Sequence, residues 1–159
     1  MMTTKTRETT IEGLADRPAV RIVRDFAATP DLVFRAWTDH DLAARWLGPK
    51  DLDMRIHTWD ARTGGSYHYT MWRGAEQVAE FYGSFHEVRT PSRLVQTFTY
   101  LGMPDDVSLE INTFEAIDGL TRVTSLSLYE TYEARDAMLS SGMEIGVVEG
   151  YAALDELLR

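Results

Sequence analysis

The side chains able to do acid–base, nucleophilic or metal chemistry are few in this sequence and poorly grouped. Its four histidines are His40, His57, His68 and His86. None forms the i,i+4 pair with a glutamate that sets two ligands and a base around zinc on one helix face. The chain has no cysteine, which excludes disulfides and thiol catalysis. His57 shares a polar strand face with Asp53 and Arg55, and His68 lies between Ser66 and Thr70; both read as surface groups. His86 becomes an acid–base candidate only if its face points inward, and Gly83 leaves that parity open. Ser84 lacks the Gly-x-Ser-x-Gly elbow of a serine nucleophile. Gly64-Gly65 precedes a strand rather than a helix, so it is a hairpin turn and not a phosphate cradle. Glu110 and Glu115 stand five apart on one expected strand, hence on opposite faces, and form no carboxylate dyad. Asp53, Arg55, Glu80 and Glu110 remain candidates for charged groups in a mouth or cavity but read more simply as solvated strand positions, and Asp60 with Arg62 reads as a pair holding a turn. No catalytic residue, metal ligand or cofactor is assigned.

The better signal is for binding. Gly142, Gly146 and Gly150 recur every four residues within an expected last helix. Each costs about 1 kcal/mol relative to alanine in a helix interior, so three on one stripe require a close neighbour or a space. An apolar stripe of Met143, Val147, Tyr151, Leu154 and Leu158 runs beside them. Trp37, Trp46, Trp59, Tyr67, Tyr69, Phe81, Phe98, Tyr100 and Phe114 fall on helix or strand faces. Aromatic residues fill ordinary cores, and they also wall apolar pockets. Tyr67 and Tyr69 share a strand face, and two buried phenols need hydrogen-bond partners, which a ligand oxygen or a water would supply. Met138 and Met143 add a pliant apolar surface.

These positions need elements to hold them. Residues 20–26 are a β-branched run that reads as a first strand. Thr29-Pro30-Asp31 and Thr38-Asp39 start two short helices, with Gly48-Pro49 as the stop. From Leu52 the apolar period becomes two. Strands follow at 52–58, 66–71, 78–88, 94–101, 107–117 and 121–129, joined by Gly-, Pro- and Asp-containing turns. The segment 133–159 is helical, with a break near Ser140-Ser141. Hairpin after hairpin means an antiparallel sheet, and helices segregated from it mean an α+β domain. About seven strands must twist and curl around the long C-terminal helix.

The length of 159 residues fits one domain at 19–159, after a polar, Thr-rich arm at 1–18 expected to be flexible. No apolar run approaches the ~18 residues of a membrane span, and the first residues lack a signal-peptide centre. The net charge of −9 argues against a nucleic-acid or anionic-membrane partner. A cytoplasmic location is expected. Monomer and homodimer are both open.

The order of elements, together with a set of motifs, resembles the helix-grip, START-like (SRPBCC) superfamily. Within it the chain is similar to the branch of the activator of the heat-shock-protein-90 ATPase, C-terminal-domain type. The matching pieces are Thr29-Pro30, Val33-Phe34, Ala36-Trp37-Thr38, Trp46-Leu47-Gly48-Pro49, Asp60-x-Arg62-x-Gly64-Gly65-x-Tyr67-x-Tyr69, Gly83, Pro91-x-Arg93-Leu94, Thr121-Arg122-Val123-Thr124 and Gly142-Met143-x-x-Gly146. The resemblance implies a sheet gripping the last helix around an apolar cavity. It implies, first, a protein binding a small hydrophobic molecule; the candidate lining residues are Trp37, Trp46, Tyr67, Tyr69, Phe81, Phe98, Tyr100, Phe114, Met138, Met143, Gly146 and Val147, with Gly150, which lies outside the family pattern, added from the glycine stripe. Its second implication is an aromatase-, polyketide cyclase- or hydrolase-like enzyme, and its third a co-chaperone module acting on a chaperone ATPase.

Overall fold

The computed structural model describes residues 8–159. Eight strands form one open antiparallel sheet. They are β1 (Thr10–Gly13), β2 (Ala19–Phe26), β3 (Asp53–Trp59), β4 (Ser66–Arg73), β5 (Glu76–Arg89), β6 (Arg93–Tyr100), β7 (Ser108–Ile117) and β8 (Leu120–Leu128), in the order β1-β2-β8-β7-β6-β5-β4-β3. The expected meander accounts for seven of them. The eighth, β1, lies in the segment read from sequence as a flexible arm: Thr10–Gly13 pairs with β2, Thr10 opposite Val23 and Gly13 opposite Val20. Its four residues are too few and too polar to show a period of two. Residues 1–7 of that arm lie outside the described residues.

Two helices follow β2. Pro30 opens α1 (Pro30–Thr38), where its fixed φ and missing N–H do no harm. The Thr29 hydroxyl, expected as a cap, makes no capping bond. Asp39 does cap α2 (His40–Trp46), accepting from the N–H groups of Asp41 and Leu42, a contribution of about 1 kcal/mol. The closing helix is two helices, α3 (Tyr132–Ser140) and α4 (Met143–Leu157). Gly142 sits at the break with φ +89°, a left-handed conformation that favours glycine. It therefore precedes α4 and is not part of a helical stripe.

Curvature comes from irregularities in pairing. Register shifts occur between Ile56 and Thr58, Met71 and Trp72, and Phe85 and Glu87, and such bulges sharpen the twist. At Gly83 the neighbouring strand comes so close that a Cβ would lie 2.1 Å from the Thr97 carbonyl oxygen. The concave face carries Phe26, Tyr67, Tyr69, Phe85, Leu94, Phe114 and Val123, which join Phe34, Trp46, Tyr151 and Leu154 from the helices in one core.

Candidate functional site

The aromatic residues chosen from sequence separate into two groups. Trp37, Trp46 and Phe114 belong to a packed cluster with Phe26, Phe34 and Tyr151, with ring centroids 4.5–6.0 Å apart. The Trp46 indole N–H donates to the Ala36 carbonyl at 2.8 Å. These rings pack under α1 and α2 as part of the core. The second group is a ladder across β4, β5 and β6. Tyr67 stacks on Tyr69, Tyr69 on Phe81 and Phe81 on Phe98, at 6.1, 5.1 and 5.3 Å, with Tyr100 5.4 Å from Phe81. The Tyr67 hydroxyl finds its partner in the protein, donating to the Thr97 carbonyl at 2.6 Å, where Gly83 permits the approach.

A cavity of about 30 Å³ lies where this ladder meets α3. Phe98, Tyr100, Ser108, Tyr129, Ala134 and Met138 line it, with Met103 and Asp106 from the β6–β7 connection at its rim. That volume holds about one water molecule. Three of the expected residues, Phe98, Tyr100 and Met138, meet here. Tyr69 and Phe81 stand behind them in the ladder.

The glycine stripe serves another purpose. A Cβ on Gly150 would lie 2.6 Å from the Trp46 carbonyl oxygen, and one on Gly146 would touch Pro49 at 3.6 Å. The close neighbour is thus the end of α2 and the Gly48-Pro49 turn, rather than the sheet or a ligand. Gly150 lets two helices approach backbone to side, and Gly146 faces the same turn. Met143 and Val147 are partly buried against the core. The C-terminal half of α4 is held further by Asp155, which accepts two hydrogen bonds from Arg24 of β2, at 2.9 and 2.5 Å.

The unexpected feature is polar. Phe114 faces the core, so the alternation along β7 turns Asn112, Glu110 and Ser108 to the same concave face. On β8, Ser125 and Ser127 stand opposite Asn112 and Glu110. The Ser125 hydroxyl donates to Asn112 Oδ1 at 2.6 Å. Glu110 is partly buried, and its two carboxyl oxygens accept from Ser108, at 2.8 Å, and from Ser127. Desolvation raises the Glu110 pKa, and the two serine hydrogen bonds oppose that rise. Burial also raises the phenols of Tyr67, Tyr69 and Tyr129, and lifts Tyr151 to about 12. The reading of Glu110 as a solvated position therefore fails. The signal was present in the sequence: Ser108, Glu110, Asn112 and Phe114 share one parity, and the aromatic member identifies the inward side.

The remaining candidates sit outside. His86 is exposed, so the acid–base role considered for it falls away. His57 and His68 stack on the convex face at 4.8 Å; Glu80 pairs with His68 at 2.6 Å, and Thr70 pairs with His57 at 2.8 Å. Glu115 points outward, opposite to Glu110, and Arg62 pairs with Asp60 at 2.8 Å as the turn reading expected. Among the described residues, no helix is long and apolar enough to cross a membrane.

The architecture has many counterparts among solved structures. Protein Ms6760 from Mycobacterium smegmatis superposes with a TM-score of 0.85 at 24% identity, covering 96% of this chain and 98% of that one. A protein from Rhodobacter sphaeroides gives 0.85 at 25% identity, covering 95% and 97%. An HSP90 activator from Plasmodium falciparum is more distant, with a TM-score of 0.53 at 17% identity over 69% of this chain and 71% of that one. No curated protein matches the sequence significantly. The curved sheet, the paired opening helices and the closing helix are thus a shared helix-grip-like fold. Residues 27–159 match the family described as Activator of Hsp90 ATPase homolog 1-like protein, and the chain belongs to that AHSA1 family.

Proposed function

We propose that this protein binds a small, largely apolar molecule between the concave face of the sheet and α3–α4, and that it does so in the cytoplasm. One observation carries the reading: a run of stacked rings that leads away from the packed core, Tyr67 to Phe98, ends at a cavity. Pockets of this kind combine apolar walls with a few polar groups, and Ser108 and Tyr129 are those groups here. The cavity admits only a water-sized guest, so a ring must displace its rim. Met103 and Met138 suit that role, because an unbranched thioether repacks easily.

Ligand-detected NMR with indole and toluene as probes tests this reading. Binding by the natural protein, lost in Ala134→Leu, is the expected result, since leucine on α3 fills the cavity from its rim. Equal binding by the variant moves the site elsewhere, and no binding by either probe removes the reading. The family description carries a second reading, a module acting on an Hsp90-type chaperone. Stimulation of such a chaperone's ATPase by this chain supports it, and an unchanged rate counts against it.

A further inference from the structure

The cavity has no basic side chain in its lining, and a carboxyl group lies behind its floor. Ser108, which lines it, donates to Glu110 at 2.8 Å, and Asp106 stands at the rim; no lysine, arginine or histidine is among its lining residues. Asp155, on α4 itself, is matched by Arg24. Glu110 has two serine hydroxyls and, among the described residues, no cation within ion-pair distance. Phe98, Tyr100 and Tyr129 surround the same space with ring surfaces, which attract a positive charge through their quadrupoles.

Resting on the binding reading above, we propose that the bound molecule carries a protonated amine, its ammonium group held between Ser108, Glu110 and Asp106 and its ring or alkyl part directed outward past Phe98 and Met138. An ammonium group brings several hydrogen-bond donors and no acceptor. An ionised carboxylate brings only acceptors, and each Glu110 oxygen has capacity beyond its serine bond. The pairing also supplies the charge that the enclosed carboxyl lacks. Tyr67 and Tyr69 from β4, Tyr129 after β8 and Tyr151 from α4 face Glu110; all are neutral phenols at physiological pH, and the Arg24–Asp155 pair beside Tyr151 balances itself. Desolvation raises the Glu110 pKa, and an ammonium group beside it acts against that rise.

Calorimetry with 2-phenylethylamine and its near-isostere 2-phenylethanol, at pH 7, tests the assignment. The amine is expected to bind at least about tenfold more tightly, a difference of about 1.4 kcal/mol. Glu110→Gln should erase the preference. Asp106→Asn, at the exposed rim, should narrow the preference without touching the fold. Equal or tighter binding of the alcohol, lost in Ala134→Leu, overturns the amine assignment and leaves the cavity reading standing. Failure of both probes to bind overturns both.

Discussion

The two halves of α4 are built differently. The half containing Gly150, Tyr151, Leu154 and Asp155 is buried or ion-paired, with the Trp46 carbonyl against its glycine and Arg24 against its carboxylate. The half beginning at Met143 follows a left-handed glycine and leaves Ile145 and Val148 exposed at 61% and 46%. Beside it, α3 contributes Met138 to the cavity. One half fastens the helix, and the other is more lightly held. Local opening draws on segments with few buried apolar contacts, so freedom is concentrated at the start of α4.

The contrast is broken most forcefully at Asp155. Asp155→Ala leaves Arg24 enclosed without its counter-charge, and Arg24 Nε already lacks a hydrogen-bond partner. A loss of about 3 kcal/mol is expected in urea unfolding, near the lower end of the range for breaking a buried pair because Asp155 is 27% exposed. An unchanged midpoint would show that the fastening lies elsewhere.

The two glycines sharpen the comparison at smaller cost. Gly150→Ala drives a methyl group against the Trp46 carbonyl, and overpacking of this kind should destabilise by about 2 kcal/mol. Gly146→Ala meets Pro49 at ordinary contact distance and gains helix propensity, so it should stabilise by about 0.5–1 kcal/mol. Opposite signs in the same denaturation assay are the expected outcome; matching signs would erase the distinction between the halves.

The smallest expected effect is electrostatic. Glu110 binds its proton more tightly in the folded chain than in the unfolded one, where its ordinary value is 4.5. Its contribution to stability is therefore complete below that value and is lost as pH rises through the folded pKa. Glu110→Gln does not titrate. Thermal unfolding of the two proteins should coincide near pH 4 and diverge in favour of the variant by pH 8, by about 2–4 °C if the difference approaches 1 kcal/mol. A natural protein that gains on the variant as pH rises would reverse the direction of the pKa shift.

These particulars show which parts of the molecule were legible in its sequence. The strands from Ala19 to Leu128 could be read because their apolar period and turn residues agree, and the two short helices because Pro30, Asp39 and Gly48 mark their limits. The glycine stripe correctly signalled a close approach, but not its direction. The Trp46–Pro49 segment lies a hundred residues earlier, and only the packing of α2 on α4 brings it to Gly150. The aromatic residues were legible as interior groups, yet a ring filling a core and a ring walling a cavity have the same sequence pattern, so Trp37 and Phe98 could not be told apart. Glu110 was read as solvated for another reason. A carboxylate on a strand is ordinarily solvated, and its inward direction follows only from counting back two at a time from Phe114. The serines that make the position tolerable come from two different strands.

The four-residue strand β1 has a consequence for where this domain may be cut. The family match begins at residue 27, after both β1 and β2 have ended. Yet β2 supplies Val20, Ile22 and Phe26 to the core and Arg24 to the helix clasp, while β1 covers its outer hydrogen-bonding edge. Arg135 of α3 in turn donates to the carbonyls of Leu14 and Ala19 at the bend between them, at 2.8 Å each. A fragment trimmed to the matched residues would expose β8 as a raw edge, a template on which copies could pair into aggregates. The short opening strand is thus the selvedge of the sheet: it adds little fabric and keeps the weave from running.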